Sequence, residues 1–252
     1  MARSFIYDNI GLTESTLEDG TASGTTFSTP STVLNESRAI DMSIATAFTS
    51  FNDTDTLRFN VGADNASKTA NCIALYYTSD HGHNFEVYRG GSATAMGSAI
   101  LDHRDQLLAG WNVITFSATA GQYWFLRSTS GTIDDITEII IGTKYDFDVN
   151  PELNAKTGEE FGTDIVTSYG GNEYANKRHA PKTTWDWNWS HILSTQKTAL
   201  ESLNASVQDW KKFIYSEDAT THHYVRMTKP VTFTEVAPSV FSANMSLREQ
   251  LS

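Results

Sequence analysis

A chain of 252 residues is long enough to bury one large β core or two smaller ones. Its formal net charge of −12 argues against a broad basic face for a polyanion such as duplex DNA. The single cysteine, Cys72, excludes an intramolecular disulfide and a cysteine metal cluster. No run approaches the roughly 18 apolar residues of a bilayer span. The start, MARSFIYDN, lacks the apolar core of a signal peptide, so a chain made in a reducing cytoplasm is expected. The charge is uneven: residues 1–147 hold 8 basic and 17 acidic side chains, and residues 148–252 hold 10 and 13, so most of the excess lies in the first half.

Residues 1–55 are rich in Thr, Ser, Asp and Gly and predict loops and edge strands. Leu57, Phe59 and Val61 alternate with Arg58 and Asn60, the period of a strand. Ile73 to Thr78 is a continuous apolar run, as in a strand buried on both faces, and Ser79-Asp80-His81-Gly82 is a turn by composition. Phe85 to Tyr88, Trp111 to Phe116, Gln122 to Arg127 and Ile136 to Ile141 complete a series of short strands with no helix between them, which predicts a β-sandwich.

The turn Ser79, Asp80, Gly82 with Asn84, Phe85 and Glu86, then Gln122-Tyr123-Trp124-Phe125-Leu126-Arg127, then Ile136-Thr137-Glu138-Ile139, resembles the discoidin or galactose-binding-like jelly roll over about residues 1–147. The resemblance implies a fold; no loop residue of that family carries over, and no ligand with it.

Tyr145 to Glu160 is polar, charged and contains Pro151, and residues 148–160 are read as a linker between domains at 1–147 and 161–252. Beyond it, Asp164 to Tyr169 reads as a strand, Gly170-Gly171 as a tight turn and Asn172 to Arg178 as its return, with Pro181 interrupting. In Thr183 to Trp189 the tryptophans Trp185, Trp187 and Trp189 fall on one face, and Thr184, Asp186 and Asn188 on the other. Thr195 to Tyr215 predicts the one long helix, about residues 195–215, with an apolar stripe of Leu200, Leu203, Val207, Trp210 and Ile214 and with Lys211 and Lys212 in its last turn. Tyr224 to Thr228, Val231 to Val236 and Val240 to Leu247 follow as strands.

This half resembles the tail-tube-like barrel of phage distal tail or baseplate proteins. The resemblance rests on Thr167 to Glu173, Lys177-Arg178 before Pro181, the aromatic strand ending at Trp189, the helix, and the closing strands Val231 to Val236 and Phe241 to Leu247. It implies a virion structural protein at the distal end of the tail: a ring, expected as a hexamer, joining the tail tube protein to hub and baseplate proteins. Tail fibres are further partners and DNA passes only as cargo. The expected fold is mainly β, a jelly-roll sandwich plus a barrel with the helix packed on it. Leu200, Leu203, Val207, Trp210, Ile214, Trp185, Trp187 and Trp189 would make the helix–barrel contact, and Asp164, Val166, Ser168, Glu173, Phe241 and Met245 the self-assembly edges. The acidic excess would keep DNA from sticking to such a channel, or would serve solubility alone.

His81, His83 and Asp80 could form a metal site, but no further ligands at zinc-like spacing follow, so a solvated turn is expected. Adjacent His222 and His223 point to opposite faces of a strand. The three tryptophans could stack on sugar rings or bury against the helix, and burial is expected. There is no G-x-S-x-G, H-E-x-x-H or phosphate-binding G-x-x-x-x-G-K-[ST]. Asp134-Asp135 and Glu159-Glu160 read as solvated turns, and Cys72 as packed. The expectation is therefore no catalysis and no cofactor, with a non-catalytic carbohydrate-binding protein acting on host glycans as the alternative.

Overall fold

The computed structural model describes residues 3–7, 16–23, 26–28, 36–47, 55–62, 68–80, 84–129, 136–152 and 156–250. The chain is mainly β and divides into two compact units: Ile6–Lys144, and Met1–Phe5 together with Tyr145–Leu251. The strand β1 (Ser4–Tyr7) gives its first residues to the second of these.

The first unit holds β2 (Thr16–Ser23), β3 (Thr26–Ser28), a 3-10 turn (Glu36–Ile40), β4 (Asp55–Asn60), β5 (Thr69–Tyr77), β6 (Phe85–Gly90), β7 (Ala99–His103), β8 (Gly110–Ala120), β9 (Tyr123–Ser128) and β10 (Ile136–Asp146). One sheet has the order β3-β2-β4-β9-β6-β7, and β10-β5-β8 lie side by side in antiparallel pairing. Leu57 and Phe59 of β4, Val87 of β6, Trp124 and Leu126 of β9, and Leu75, Tyr77, Ile139 and Ile141 of β5 and β10 share one buried core. Period-two alternation puts these residues on inner faces, so the unit is a β-sandwich. Cys72 is buried, its thiol 3.3 Å from the Gly142 carbonyl.

The second unit continues with β11 (Lys156–Thr167), β12 (Glu173–Leu193), α1 (Ser194–Val207), β13 (Phe213–Ser216), β14 (His222–Ala237) and β15 (Val240–Glu249). Its strands pair in the order β11-β12-β15-β14-β13. Among the described residues this order is open. β11 pairs with β12 alone, so the sheet does not close on itself into the expected barrel. Lys156 to Glu160, within the span read as a linker, lie in β11.

Three features differ from the sequence expectation. Pro181 does not break β12: Glu160 pairs with Lys182 and Gly162 with His179, leaving Ala180 and Pro181 in a bulge. A residue without an N–H is tolerated where no ladder bond is needed. Gly162 leaves room there for the His179 ring, from which a Cβ would lie 2.4 Å unless the ring moved. Second, α1 ends at Val207, where Gln208 turns to φ 51° and donates its N–H to the Asn204 carbonyl at 3.1 Å. Trp210 is thus off the helix and 53% exposed, and Ile214 is buried in β13. Phe213, Ile214 and Tyr215 are strong strand formers and take the ladder that Val225, Tyr224 and His223 offer. Lys211 and Lys212 lie over Trp210 and Tyr224, 5.2 and 5.3 Å from the ring centres, and not at a helix end. Third, β15 is no edge: β12 and β14 flank it, so Phe241 and Met245 sit in a central strand.

Leu200, Leu203 and Val207 are buried. Gln196, also buried, donates its side-chain N–H to the Val149 carbonyl at 3.0 Å and accepts the Val149 N–H at 2.8 Å. The same carbonyl accepts the Trp189 indole N–H at 2.9 Å, so one backbone group ties helix and tryptophan strand together.

Candidate assembly surface

The outer parts of β11 and β12 form a two-stranded ribbon. Its turn is held by Ser168, whose N–H donates to the Asn172 carbonyl and whose carbonyl accepts the Gly171 N–H at 2.9 Å. Ser168 Oγ also accepts the Asn172 N–H at 3.1 Å, and Gly171 supplies the left-handed φ of 83°. Register pairs place Val166 with Tyr174 on one face, and Ile165 with Ala175 on the other. Asp164 and Arg178 make an ion pair across the strands.

Among the described residues nothing covers either face. Phe161, Ile165, Val166, Tyr169 and Tyr174 are all exposed, Tyr169 fully so at 111%. A two-stranded ribbon is marginally stable alone, and apolar groups on both its faces mark a surface that meets a partner. Among the described residues no strand pairs with the outer side of β11, which leaves a row of backbone groups open there. Residues 156–182 hold four basic side chains (Lys156, Lys177, Arg178, Lys182) and four acidic ones (Glu159, Glu160, Asp164, Glu173). The net charge of this stretch is zero, so the whole −12 of the chain lies outside it. Of the residues expected at assembly edges, Asp164, Val166, Ser168 and Glu173 lie on this ribbon. The sequence reading did not single out Phe161, Ile165, Tyr169 and Tyr174. Apolar residues on both faces of a strand bordering a Gly-Gly turn were the available signal.

The tryptophan half of β12 is the reverse. Trp185, Trp187 and Trp189 are buried in an aromatic cluster with Phe5, Phe147 and Tyr215, so they offer no stacking platform for a sugar. Beside them is a small opening of about 130 Å³ lined by Arg3, Glu152, Thr157, Trp185, Trp187 and Glu217. On the other strands, Pro230 leaves a gap in the ladder: Lys229 pairs with Ser246 and Thr232 with Asn244, so Pro230 and Val231 stand opposite Met245 unpaired. The freed Val231 N–H donates to Asn204 Oδ1 at 3.3 Å. The bulge opens a groove of about 340 Å³ lined by Lys229, Pro230, Thr232, Asn244, Met245 and Ser246.

The titratable groups divide among local tasks. His222 and His223 face different partners: His222 Nδ1 lies 2.7 Å from Ser216 Oγ, and His223 Nδ1 3.4 Å from Glu249 Oε1. Ser216 is buried at a cross-strand pair, so its hydroxyl is not presented to a substrate. Burial alone would push the Glu249 carboxyl up, but hydrogen bonds from Thr183 and the nearby His223 hold it below its ordinary value. Asp218 is held down to about 2 by the N–H groups of Thr220 and Thr221 and the Thr220 hydroxyl. Burial raises the Tyr215 phenol far above its ordinary value. Among the described residues no cluster of three or more His, Cys, Asp or Glu could hold a metal. His81, His83, Asp134 and Asp135 lie outside the described residues. Asp80 accepts the Ala109 N–H at 2.7 Å. In the sandwich unit Tyr76 and Trp111 are a cross-strand pair of half-buried rings, 5.3 Å apart and edge to face.

No family model matches the chain, and no curated protein matches it. Among solved structures, it is similar to chitosan-binding module 1 of a chitosanase/glucanase from Paenibacillus sp. IK-5. That match has 19% identity over 54% of this chain and 98% of that one, with a TM-score of 0.40. The carbohydrate-binding module of family 32 from AlyQ, in complex with 4,5-unsaturated mannuronic acid, matches at 19% identity over 54% and 96%, TM-score 0.38. A Ruminococcus gnavus fucosidase of glycoside hydrolase family 29, in complex with fucose, matches at 12% identity over 54% and 27%, TM-score 0.38. These are sugar-binding and sugar-cleaving proteins, the class of the alternative reading, and the tail-protein resemblance finds nothing among them. At these scores the likeness assigns no ligand.

Proposed function

We propose that this chain is a self-assembling structural protein whose copies join through the β11–β12 ribbon. One observation carries the reading: a charge-neutral two-stranded ribbon with five large apolar side chains in solvent, on a chain that is otherwise strongly acidic. Like-charged copies repel one another except where the meeting surfaces are neutral, and the ribbon is such a surface. The particular form proposed is a ring at the distal end of a phage tail, with the tail tube protein and hub proteins as its neighbours in the virion. Size-exclusion chromatography with light scattering on the full chain tests it. Masses at multiples of 27.9 kDa, and rings with a central hole by negative-stain electron microscopy, are expected. A single 27.9 kDa species at every concentration overturns it.

A second reading, non-catalytic binding of a glycan by the sandwich unit, is favoured by the Tyr76–Trp111 pair, since paired aromatic rings on a sheet surface offer faces and edges to a sugar. It is compatible with assembly. A glycan array probed with the full chain and with Trp111→Ala tests it: signal that the substitution removes supports it, and a blank array removes it.

A further inference from the structure

The ribbon tip and the Pro230 groove are complementary and lie at different places along one sheet. Tyr169 leads the tip, with Tyr174 and the carboxylate of Glu173 behind it. The groove is lined by Pro230, Lys229, Thr232, Asn244 and Ser246, with Met245, itself buried, between the last two. A volume of about 340 Å³ is at the lower end of the roughly 300–1,000 Å³ range of clefts that take a ligand group. A tyrosine suits it, since its ring packs on Pro230 while its hydroxyl keeps a polar partner among Thr232, Asn244 and Ser246. Lys229 complements both the ring face and Glu173. Asp186, the β12 residue opposite Ser246, is thirteen residues along the strand from Glu173. At about 3.3 Å per residue, the strand between tip and groove spans at most roughly 40 Å.

We infer that the Tyr169 tip of one copy seats in the Pro230–Met245 groove of the next, so that assembly runs head to tail. The inference rests on the self-assembly reading and adds its polarity. Two different patches meet, the interface is heterologous, and repetition closes to a ring or runs on as a filament. Aromatic anchors in pockets carry much of the energy of such contacts, so loss of the tip should weaken assembly at least about tenfold.

Complementation of full-length variants tests this. Tyr169→Ser removes the tip and Thr232→Arg obstructs the groove; both positions are exposed, and circular dichroism checks that each variant is folded. The expected result is an assembled native chain, two variants that are each monomeric, and a 1:1 mixture that stops at dimers, because it holds one working tip and one working groove. Independently, a mixture of Tyr169→Cys and Thr232→Cys chains should give an inter-chain disulfide that neither gives alone. If the native chain assembles while Thr232→Arg assembles equally well, or no disulfide forms between the two cysteine chains, head-to-tail docking is overturned and assembly through the ribbon stands. If the native chain is monomeric throughout, both fall together.

Discussion

The two halves of β12 obey one rule and meet two fates. From Thr184 to Trp189 the strand alternates polar and aromatic, and every tryptophan is buried. From Glu173 to Lys182 it pairs with β11 alone, and among the described residues almost nothing covers it. The inner half gains β15 as a partner strand, and the halves differ further in what covers their faces. The inner half has a cluster of rings from other strands packed on one face; the outer half carries apolar residues on both faces and has no such layer. A layer missing from one chain but implied by its side chains points to another copy.

The largest expected effect lies in the inner half. Trp187 is 1% exposed and packs on Phe5, Trp189 and Tyr215. Trp187→Ala should cost about 3–5 kcal/mol in a denaturant titration of the full chain. Leu203→Ala, in the buried stripe of α1, should cost about 2–5 kcal/mol, whereas Trp210→Ala, beyond the helix end, should stay within about 0.5 kcal/mol. Equal losses at those two positions would mean that the helix continues through Trp210. In the outer half, Val166→Ser combined with Tyr174→Ser should leave the melting of the dilute monomer nearly unchanged and abolish assembly; a loss comparable to Trp187→Ala would place a covering layer within the chain.

The smallest effect concerns the β13–β14 turn. The Asp218 carboxyl titrates at about 2 when folded, against an ordinary 3.8. Its folded value is the lower one, so its contribution to stability is present above about pH 4 and is lost as pH falls toward 2. The Thr220 and Thr221 amide resonances should report a midpoint near 2 in an acid titration, and a midpoint at 3.8 would remove the hydrogen-bonded turn.

Alternation was enough to place Trp185, Trp187 and Trp189 on one face and to find the strand around Phe59, and a continuous apolar run found the strand around Leu75. The helix end was not legible, because apolar spacings of three and four continue from Val207 through Trp210 to Ile214. Only the demand of β14 for a partner turns that last stretch into a strand. Pairing order was hidden for a related reason. Nothing in Val240 to Leu247 says that β12 and β14 will flank it, so an expected edge became a central strand and an expected barrel stayed open. Pro181 read as an interruption, and the sheet instead absorbs both it and Pro230 in bulges, the second of which makes the groove.

The central claim is that another copy covers the ribbon. Amide hydrogen exchange of the full chain across a concentration series measures this most directly. The β11 amides directed away from β12 should become protected as concentration rises, while those of Trp185 to Trp189 stay equally protected throughout. Fast exchange along the outer side of β11 at every concentration would contradict it.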